Sequence, residues 1–169
     1  MKLESLTSDH ARLLSEMIQD FEKGDRATLL SAFPDLEADL KSVQSYIKKC
    51  EKERLDWRPG PGKTSVSHYV LIDQNALCGY GKMRFPLPED EPNIGNLEFL
   101  VPPSKRAQGY GALTLNRLLF EAVRAGMARA LVVVEKRNGA AIRCVEKNRG
   151  ERTEDQTEDG WARFWIRFR

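Results

Sequence analysis

The chain has 169 residues, 41% hydrophobic and 31% charged, which is typical of one globular domain with a substantial core. Its 27 lysines and arginines nearly balance 25 aspartates and glutamates, so charge gives no reason to expect a nucleic-acid partner. Three widely spaced cysteines (Cys50, Cys78 and Cys144) argue against disulfides or a zinc site. Without a signal peptide or an apolar run long enough to span a membrane, we expect one cytoplasmic domain over residues 1–169, with no membrane partner and no metal.

Apolar spacing, helix caps and breakers predict five elements in the first half of the chain. They are a strand over 2–6, a helix from the Thr7-Ser8-Asp9 cap through residue 22, a helix over 36–54, and strands Val66–Asp73 and Ala76–Phe85. The dipeptide Gln74-Asn75 between the two longer strands indicates a hairpin.

The second half alternates strands and helices. The predicted elements are strand Ile94–Val101, helix Gly109–Ala125, strand 130–135, helix Asn138–Asn148 and a final strand over 161–168. Strand, helix and strand within about forty residues form a βαβ crossover, so strands 94–101 and 130–135 should be parallel.

The segment between strand 94–101 and the following helix carries most information about function. Its basic loop contains two closely spaced glycines, Gly109 and Gly111, and opens directly into the helix. Such a loop directs unpaired backbone N–H groups and the positive end of the helix dipole to one point. This arrangement favours binding of a pyrophosphate.

Two common phosphate-binding motifs fit poorly. A dinucleotide-binding fingerprint requires a third glycine where Thr114 stands. The tripeptide Gly62-Lys63-Thr64 looks like the end of a P-loop, but the required earlier glycine is Trp57, and a strand pattern follows where a helix is needed.

The segment Arg106-x-x-Gly109-x-Gly111 resembles the R/Q-x-x-G-x-G/A motif of the GNAT superfamily of N-acetyltransferases, which binds coenzyme A. Residues 138–150 are similar to the superfamily's N-x-A-S…E-K-N-G-G helix and turn, and Arg163-Phe164-Trp165-Ile166 resembles the last strand of a poorly characterised bacterial branch. The resemblance implies an α/β fold of the α+β type. Its mixed, mostly antiparallel sheet of six to seven strands has splayed parallel strands four and five, with helices on both faces.

The resemblance also implies the activity and the site. It indicates an acetyl-CoA-dependent N-acetyltransferase that moves the acetyl group to a primary amine of a small molecule or peptide by direct attack in a ternary complex. The implied co-substrate-binding residues lie on the splayed strand, the loop and the helix after the next strand: Phe99, Leu100, Val101, Arg106, Ala107, Gln108, Gly109, Tyr110, Gly111, Ala112, Asn138 and Ala141.

Glu98 is the candidate general base, since an alkylammonium with a pKa near ~10.4 must lose its proton before it attacks. The tyrosine that protonates the leaving thiolate in many GNAT enzymes is Val145 here, and Ala141 replaces a serine that contacts the co-substrate. These departures leave an alternative open: a catalytically weak CoA-binding sensor or regulatory module. Asn138 either contacts the co-substrate or acceptor, caps the following helix, or does both.

Other chemically suggestive residues are expected to be structural. Cys144 has no neighbouring histidine in sequence and is interpreted as a packed thiol, and His68 as a structural strand residue. The weakly matched loops containing Trp57, Arg58 and Glu89–Glu91 are candidate walls of the acceptor pocket. The outer face of the last strand should pack on a helix or on a second copy in a homodimer.

Overall fold

A single mixed sheet organises the described part of the chain, with strand order β1-β2-β3-β4-β5-β7-β6. The computed structural model describes residues 1–55, 63–87, 94–153 and 160–168. The strands are β1 (Lys2–Ser5), β2 (Ser65–Asp73), β3 (Ala76–Phe85), β4 (Leu97–Leu100), β5 (Arg129–Glu135), β6 (Glu151–Arg152) and β7 (Trp161–Arg167). Only β4 and β5 run parallel among these strands, as the crossover predicts.

Helices cover both faces of this sheet. They are α1 (Ala11–Gly24), α2 (Arg26–Ala32), α3 (Leu40–Leu55), α4 (Tyr110–Arg124) and α5 (Gly139–Lys147). Helices α1, α2 and α3 bury one apolar cluster with Val70 and Tyr80 of the sheet, and α4 and α5 bury another with Leu97 and Val132. The predicted fold class, with its mixed sheet and helices on both faces, is confirmed.

Two helix predictions need correction, and aspartate caps explain both. The second predicted helix begins at Leu40 and not at 36, because the Asp39 side chain accepts hydrogen bonds from the N–H groups of Lys41 and Ser42, each at 3.0 Å. Helix α2 was not predicted. Its N-cap is Asp25, the residue between α1 and α2, whose side chain accepts the Thr28 N–H at 3.2 Å.

Strand β4 is shorter than the predicted strand 94–101, because Asn96 interrupts the regular pairing. The Asn96 side chain donates to the Arg84 carbonyl at 3.1 Å and accepts the Leu131 N–H at 2.8 Å, so it joins β3 to β5. The next residue, Leu97, pairs with Val132 of β5, and this is the only pair between the two strands among the described residues. Beyond Leu97 the strands part, as the GNAT resemblance implies.

The other strand predictions agree with the structure. The β2–β3 turn has Gln74 and Asn75 at φ 47° and 60°, as a tight hairpin requires. Alternate residues of β7 are buried (Ala162, Phe164 and Ile166), as its sequence alternation predicts. The two-residue strand β6, paired with β7, was missed because two residues carry no periodicity.

A buried polar chain crosses the face of the sheet that α3 covers. His68 Nδ1 lies 2.8 Å from the Tyr80 hydroxyl, which lies 3.0 Å from the Tyr46 hydroxyl. His68 Nε2 makes no hydrogen bond to any described residue and lies 3.5 Å from Glu53. Burial, together with the nearby Lys82 and Arg84, lowers the pKa of His68 to about 3. His68 therefore has a structural role, as expected: it is a neutral member of a buried hydrogen-bonded chain.

The neutral state of His68 predicts how stability depends on pH. The unfolded chain binds a proton at His68 near pH 6.5, whereas the folded chain does so only near pH 3, so stability should fall as pH drops below 6.5. One such proton corresponds to about 1.4 kcal/mol of unfolding free energy per pH unit. Denaturant unfolding at pH 7.0 and 5.5 measures this slope, and His68→Gln should flatten it. A variant with the wild-type slope would contradict the assignment.

Candidate functional site

The parting of β4 and β5 opens two adjoining cavities. The first, called the loop cavity, has a volume of about 440 Å³ and lies between the start of α4, the end of β4 and α5. The second, called the sheet cavity, has a volume of about 620 Å³ and lies between α2, β4 and β5. Phe99, Leu100, Asn138 and Ala141 line both cavities, so the two share a common wall.

The backbone before α4 leaves N–H groups open to the loop cavity. Gly109 is the N-cap, with φ 86° and no side-chain hydrogen bond to the cap, and the N–H of Leu113 bonds back to the Gly109 carbonyl at 3.1 Å. The N–H groups of the first helical turn therefore have no partner within the helix. Ala107 is also left-handed, at φ 59°, which turns the loop toward the cavity. The arrangement has the geometry of an anion site.

The two motif glycines act differently. A Cβ on Gly109 would meet no atom within 4 Å, so this glycine is needed for its positive φ and for space in front of the loop. A Cβ on Gly111 would lie 3.0 Å from the Cys144 sulfur, so that glycine allows α4 and α5 to approach. Both glycines belong to the implied co-substrate-binding set, and Gly111 also serves helix packing.

Two acidic residues fasten the loop to the end of α1. Asp20 accepts the Ser104 N–H at 2.9 Å and its hydroxyl at 2.8 Å. Asp25 accepts Nη2 of Arg106 at 2.7 Å, while Nε of Arg106 donates to the Val101 carbonyl at 3.3 Å. Burial raises the pKa of Asp25, but hydrogen bonds from Arg106 and Thr28 outweigh it and hold the pKa below its ordinary value. The motif arginine, expected to add charge for the ligand, is therefore engaged in holding the loop.

Other basic side chains supply charge to the loop cavity. Lys105 of the loop and Arg143 and Lys147 of α5 line it. Arg143 and Lys147 are four residues apart and so share one helix face. Sequence reasoning missed all three, although that spacing just after the Asn138 cap was a usable signal.

The edge of β4 that faces β5 presents backbone groups to the gap. The Asn96 carbonyl accepts the Arg84 N–H at 2.8 Å, so residue 96 points its backbone toward β3. Backbone direction alternates along a strand, so the groups of Phe99, and of Val101 just beyond the strand, point toward the gap. Of the splayed-strand residues implied to bind the co-substrate, Phe99 and Val101 therefore direct their backbone groups to the gap, and Leu100 directs its own toward β3.

Glu98 lies in the sheet cavity between two cations. Its Oε2 is 2.6 Å from Nη2 of Arg84, and its Oε1 is 3.6 Å from Nζ of Lys82. Burial raises the pKa of Glu98, but the two cations outweigh it and hold the pKa below its ordinary value. Glu98 is therefore a carboxylate at neutral pH. Sequence reasoning did not identify Lys82 or Arg84, because only strand pairing brings them beside it.

The residues of α5 agree with their sequence interpretation in part. Asn138 caps the helix, since its side chain accepts the Ala141 N–H at 3.0 Å, and it also lines both cavities. Val145, at the position of the usual tyrosine, is fully buried in the core. Cys144 is half-buried and lines the loop cavity, and burial raises the pKa of its thiol.

The structure brings the predicted site residues together. Eleven of the twelve predicted co-substrate residues line the loop cavity, and the twelfth, Gln108, donates from its side chain to the Ser104 carbonyl at 3.3 Å. The predicted acceptor loops with Trp57, Arg58 and Glu89–Glu91 lie outside the described residues. Within the described ranges there is no cluster of three or more metal-ligating side chains, and no helix long and apolar enough to span a membrane.

Comparison with known sequences identifies the family. Residues 29–150, more than half of the chain, match the Acetyltransferase (GNAT) family. The chain therefore belongs to the GNAT family of acetyltransferases, with acetyl-CoA as co-substrate, and both sequence expectations are confirmed. The loop cavity fits this co-substrate, since open N–H groups and three basic side chains suit a diphosphate with a further phosphate. No sequence among curated proteins matches the chain significantly.

Solved structures share the fold at low sequence identity. The ribosomal L7/L12 alpha-N-protein acetyltransferase RimL, in complex with coenzyme A, superposes with a TM-score of 0.70 at 12% identity, over 98% of this chain and 93% of that chain. Aminoglycoside acetyltransferase AAC(6')-Ib, with ribostamycin and coenzyme A, gives 0.66 at 21% identity, over 99% and 93%. The GNAT domain of S. lividans PAT gives 0.66 at 14% identity, over 98% and 89%.

Gly109 and Gly126 form a matched pair for testing the loop. Both have positive φ, 86° and 82°, and a Cβ on either would meet nothing within 4 Å. Alanine at either position should cost a similar amount of stability, about 1 kcal/mol. Only Gly109→Ala should also weaken CoA binding, by about tenfold or more, because only Gly109 borders the loop cavity. Calorimetric titration with CoA checks this, and equal affinities in the two variants would count against the loop.

The basic side chains of the loop cavity should act on CoA through charge. Replacing Lys105, Arg143 or Lys147 singly by glutamine should lower CoA affinity about three- to tenfold in low salt, and less at high salt. The exposed Lys48 of α3 provides a control, since Lys48→Gln should leave the affinity unchanged. Titrations at two salt concentrations measure both effects, and uniform salt dependence in all four variants would refute the assignment.

Proposed function

We propose that this protein transfers the acetyl group of acetyl-CoA to a primary amine of a small molecule or peptide, by direct attack in a ternary complex. The observation that carries the proposal is that the two adjoining cavities share the lining residues Phe99, Leu100, Asn138 and Ala141. A thioester in the loop cavity and an amine in the sheet cavity would meet at these residues. The names of the structural neighbours, which include protein and aminoglycoside acetyltransferases, support an amine acceptor.

Direct attack agrees with the chemistry of the side chains at the junction. Cys144 lines the loop cavity, but burial raises the pKa of its thiol, which keeps it protonated and poorly nucleophilic. The buried His68 is held neutral by the core and lines neither cavity. An acyl-enzyme step through either side chain is therefore not part of the proposal.

Each step has a residue of this chain to support it. The first turn of α4 and the basic side chains hold the phosphates, and acetyl-CoA supplies the activated acetyl group. The N–H of Val101 faces the gap, where it can donate to an oxygen that gains negative charge. Glu98 accepts the proton of the acceptor ammonium, directly or through water, and its two cations keep it ionised for that purpose.

The leaving thiolate departs without a tyrosine, because Val145 is buried and has no proton to give. A thiol has a pKa near ~8.5, so its thiolate is a tolerable leaving group, and water can protonate it. General acid catalysis is typically worth ~10²–10⁴ in rate, so turnover should be slow for the family.

Glu98→Gln tests the proton acceptor. Turnover at pH 7.5 should fall about 10²-fold, and the rate should recover at higher pH, where more of the acceptor amine is already neutral. CoA affinity should stay within about twofold of wild type, since Glu98 lies in the other cavity. Thiol release measured across pH, with a thermal melt to verify folding, gives both quantities.

The exposed Glu16 of α1 supplies the matched control, since Glu16→Gln removes a carboxylate far from either cavity. An unchanged pH profile in Glu98→Gln would remove Glu98 from the mechanism. If the wild-type protein binds CoA but releases no thiol with any amine, the chain is a CoA-binding module, and the proposed activity is wrong.

A further inference from the structure

Two buried cations of the sheet cavity share one carboxylate. Lys82 and Arg84 extend from one face of β3, and their side chains are only 10% and 14% exposed. Both depend on a single carboxylate, Glu98, which lies at 2.6 Å from Arg84 and 3.6 Å from Lys82. A buried cation without a full counter-charge is costly, so this arrangement favours a second anion.

The other carboxylates that line the sheet cavity already have cations of their own. Asp25 binds Arg106 at 2.7 Å, and Glu135 binds Arg137 at 2.5 Å. Neither makes an ion pair with Lys82 or Arg84. Among the described residues the lining has three carboxylates (Asp25, Glu98 and Glu135) and three cations (Lys82, Arg84 and Arg137), and a fourth cation, Arg106, pairs with Asp25 from outside this lining. The surplus positive charge lies beside Glu98.

The two cations differ in what they can still bind. Lys82 donates to the Ala32 carbonyl at the end of α2, at 2.8 Å, and lies 5.0 Å from the centre of the Phe33 ring. These contacts fix it in place under α2. Arg84 reaches Glu98 through Nη2, and its remaining N–H groups make no hydrogen bond to any described residue. A guanidinium fork of this kind matches a second carboxylate in geometry as well as charge.

We propose that the acceptor carries a carboxylate that binds Arg84 while its primary amine reaches the thioester. This inference rests on the proposed function and names its substrate class. Glu98, the residue that Arg84 contacts, is three residues before Val101, which corresponds to roughly 10 Å along an extended strand. Two or three extended peptide residues span about that length. The acceptor is thus a peptide amine with a carboxylate two or three residues away, at a free C-terminus or on an acidic side chain.

Four tripeptides test a free C-terminus and an acidic side chain separately, and compare both with a neutral and a cationic acceptor. They are tri-alanine as the free acid, the same peptide as its amide, and the amides with aspartate or with arginine in the third position. Thiol release should give kcat/KM values about tenfold or more higher for the free acid, the aspartate peptide or both than for the neutral amide. The arginine peptide, whose cation would lie beside Arg84, should be the poorest acceptor. Equal values for anionic and neutral peptides would overturn the proposal.

Arg84→Gln tests whether Arg84 causes the preference for anionic peptides. The ratio of kcat/KM between the preferred anionic peptide and the neutral amide should fall to about one, mainly through KM, and Arg84→Lys should restore part of it. If Arg84 had a purely structural role, its replacement would lower kcat/KM for both peptides and leave their ratio unchanged. The exposed Arg117 of α4 is the control, since Arg117→Gln should retain the wild-type ratio. An Arg84→Gln variant with the wild-type ratio would refute the inference.

A binding measurement separates this inference from the proposed activity. With CoA already bound, calorimetric titration should show tighter binding of the preferred anionic peptide than of the neutral amide, and Arg84→Gln should abolish the difference. That result would support the anion subsite even if no peptide gave thiol release. The absence of thiol release would refute only the proposed activity. Thiol release without charge preference would refute only the subsite.

Discussion

Asn96 ties three strands together at the point where the site begins. Its amide bridges the Arg84 carbonyl of β3 and the Leu131 N–H of β5, and β4 then pairs with β5 at Leu97 alone. Past that pair the strands part, so the backbone of Phe99 and Val101 faces a gap without a partner strand. Buried backbone groups require partners, and an extended ligand can supply them. The loop cavity, the sheet cavity and the wall they share all follow from this divergence.

Acidic residues organise the site as much as basic ones. Asp20 binds Ser104 and Asp25 binds Arg106, so the loop before α4 is attached to α1 and to the start of α2. In the sheet cavity, Glu98 likewise holds two basic side chains, Lys82 and Arg84. The positive charge that lines the cavities consequently comes from Lys105, Arg143 and Lys147 in the loop cavity and from Arg84 in the sheet cavity. The motif arginine, Arg106, contributes mainly to the architecture of the loop.

The replacement of a tyrosine by Val145 has a packing cause visible in the structure. Val145 is fully buried, and a Cβ on Gly150 would lie 2.3 Å from one of its methyl carbons. The turn after α5 is therefore packed directly on this position, and a larger side chain would need space the core does not offer. In the proposed reaction the thiolate therefore leaves without a proton donor at this position.

Local patterns in the sequence were sufficient to predict most of the fold and the position of the loop cavity. Helix α4, the β2–β3 hairpin and the crossover follow from periodicity and caps, because each depends on neighbours in sequence. The GNAT resemblance implied twelve co-substrate residues, of which eleven line the loop cavity. Lys82, Arg84 and Glu98 could not be grouped in that way. Their proximity depends on the register of β3 against β4, and the shared carboxylate and its charge surplus exist only once those strands pair. Tertiary structure alone also decided that Arg106 binds Asp25, since 81 residues separate them and a contact of that range leaves no local pattern.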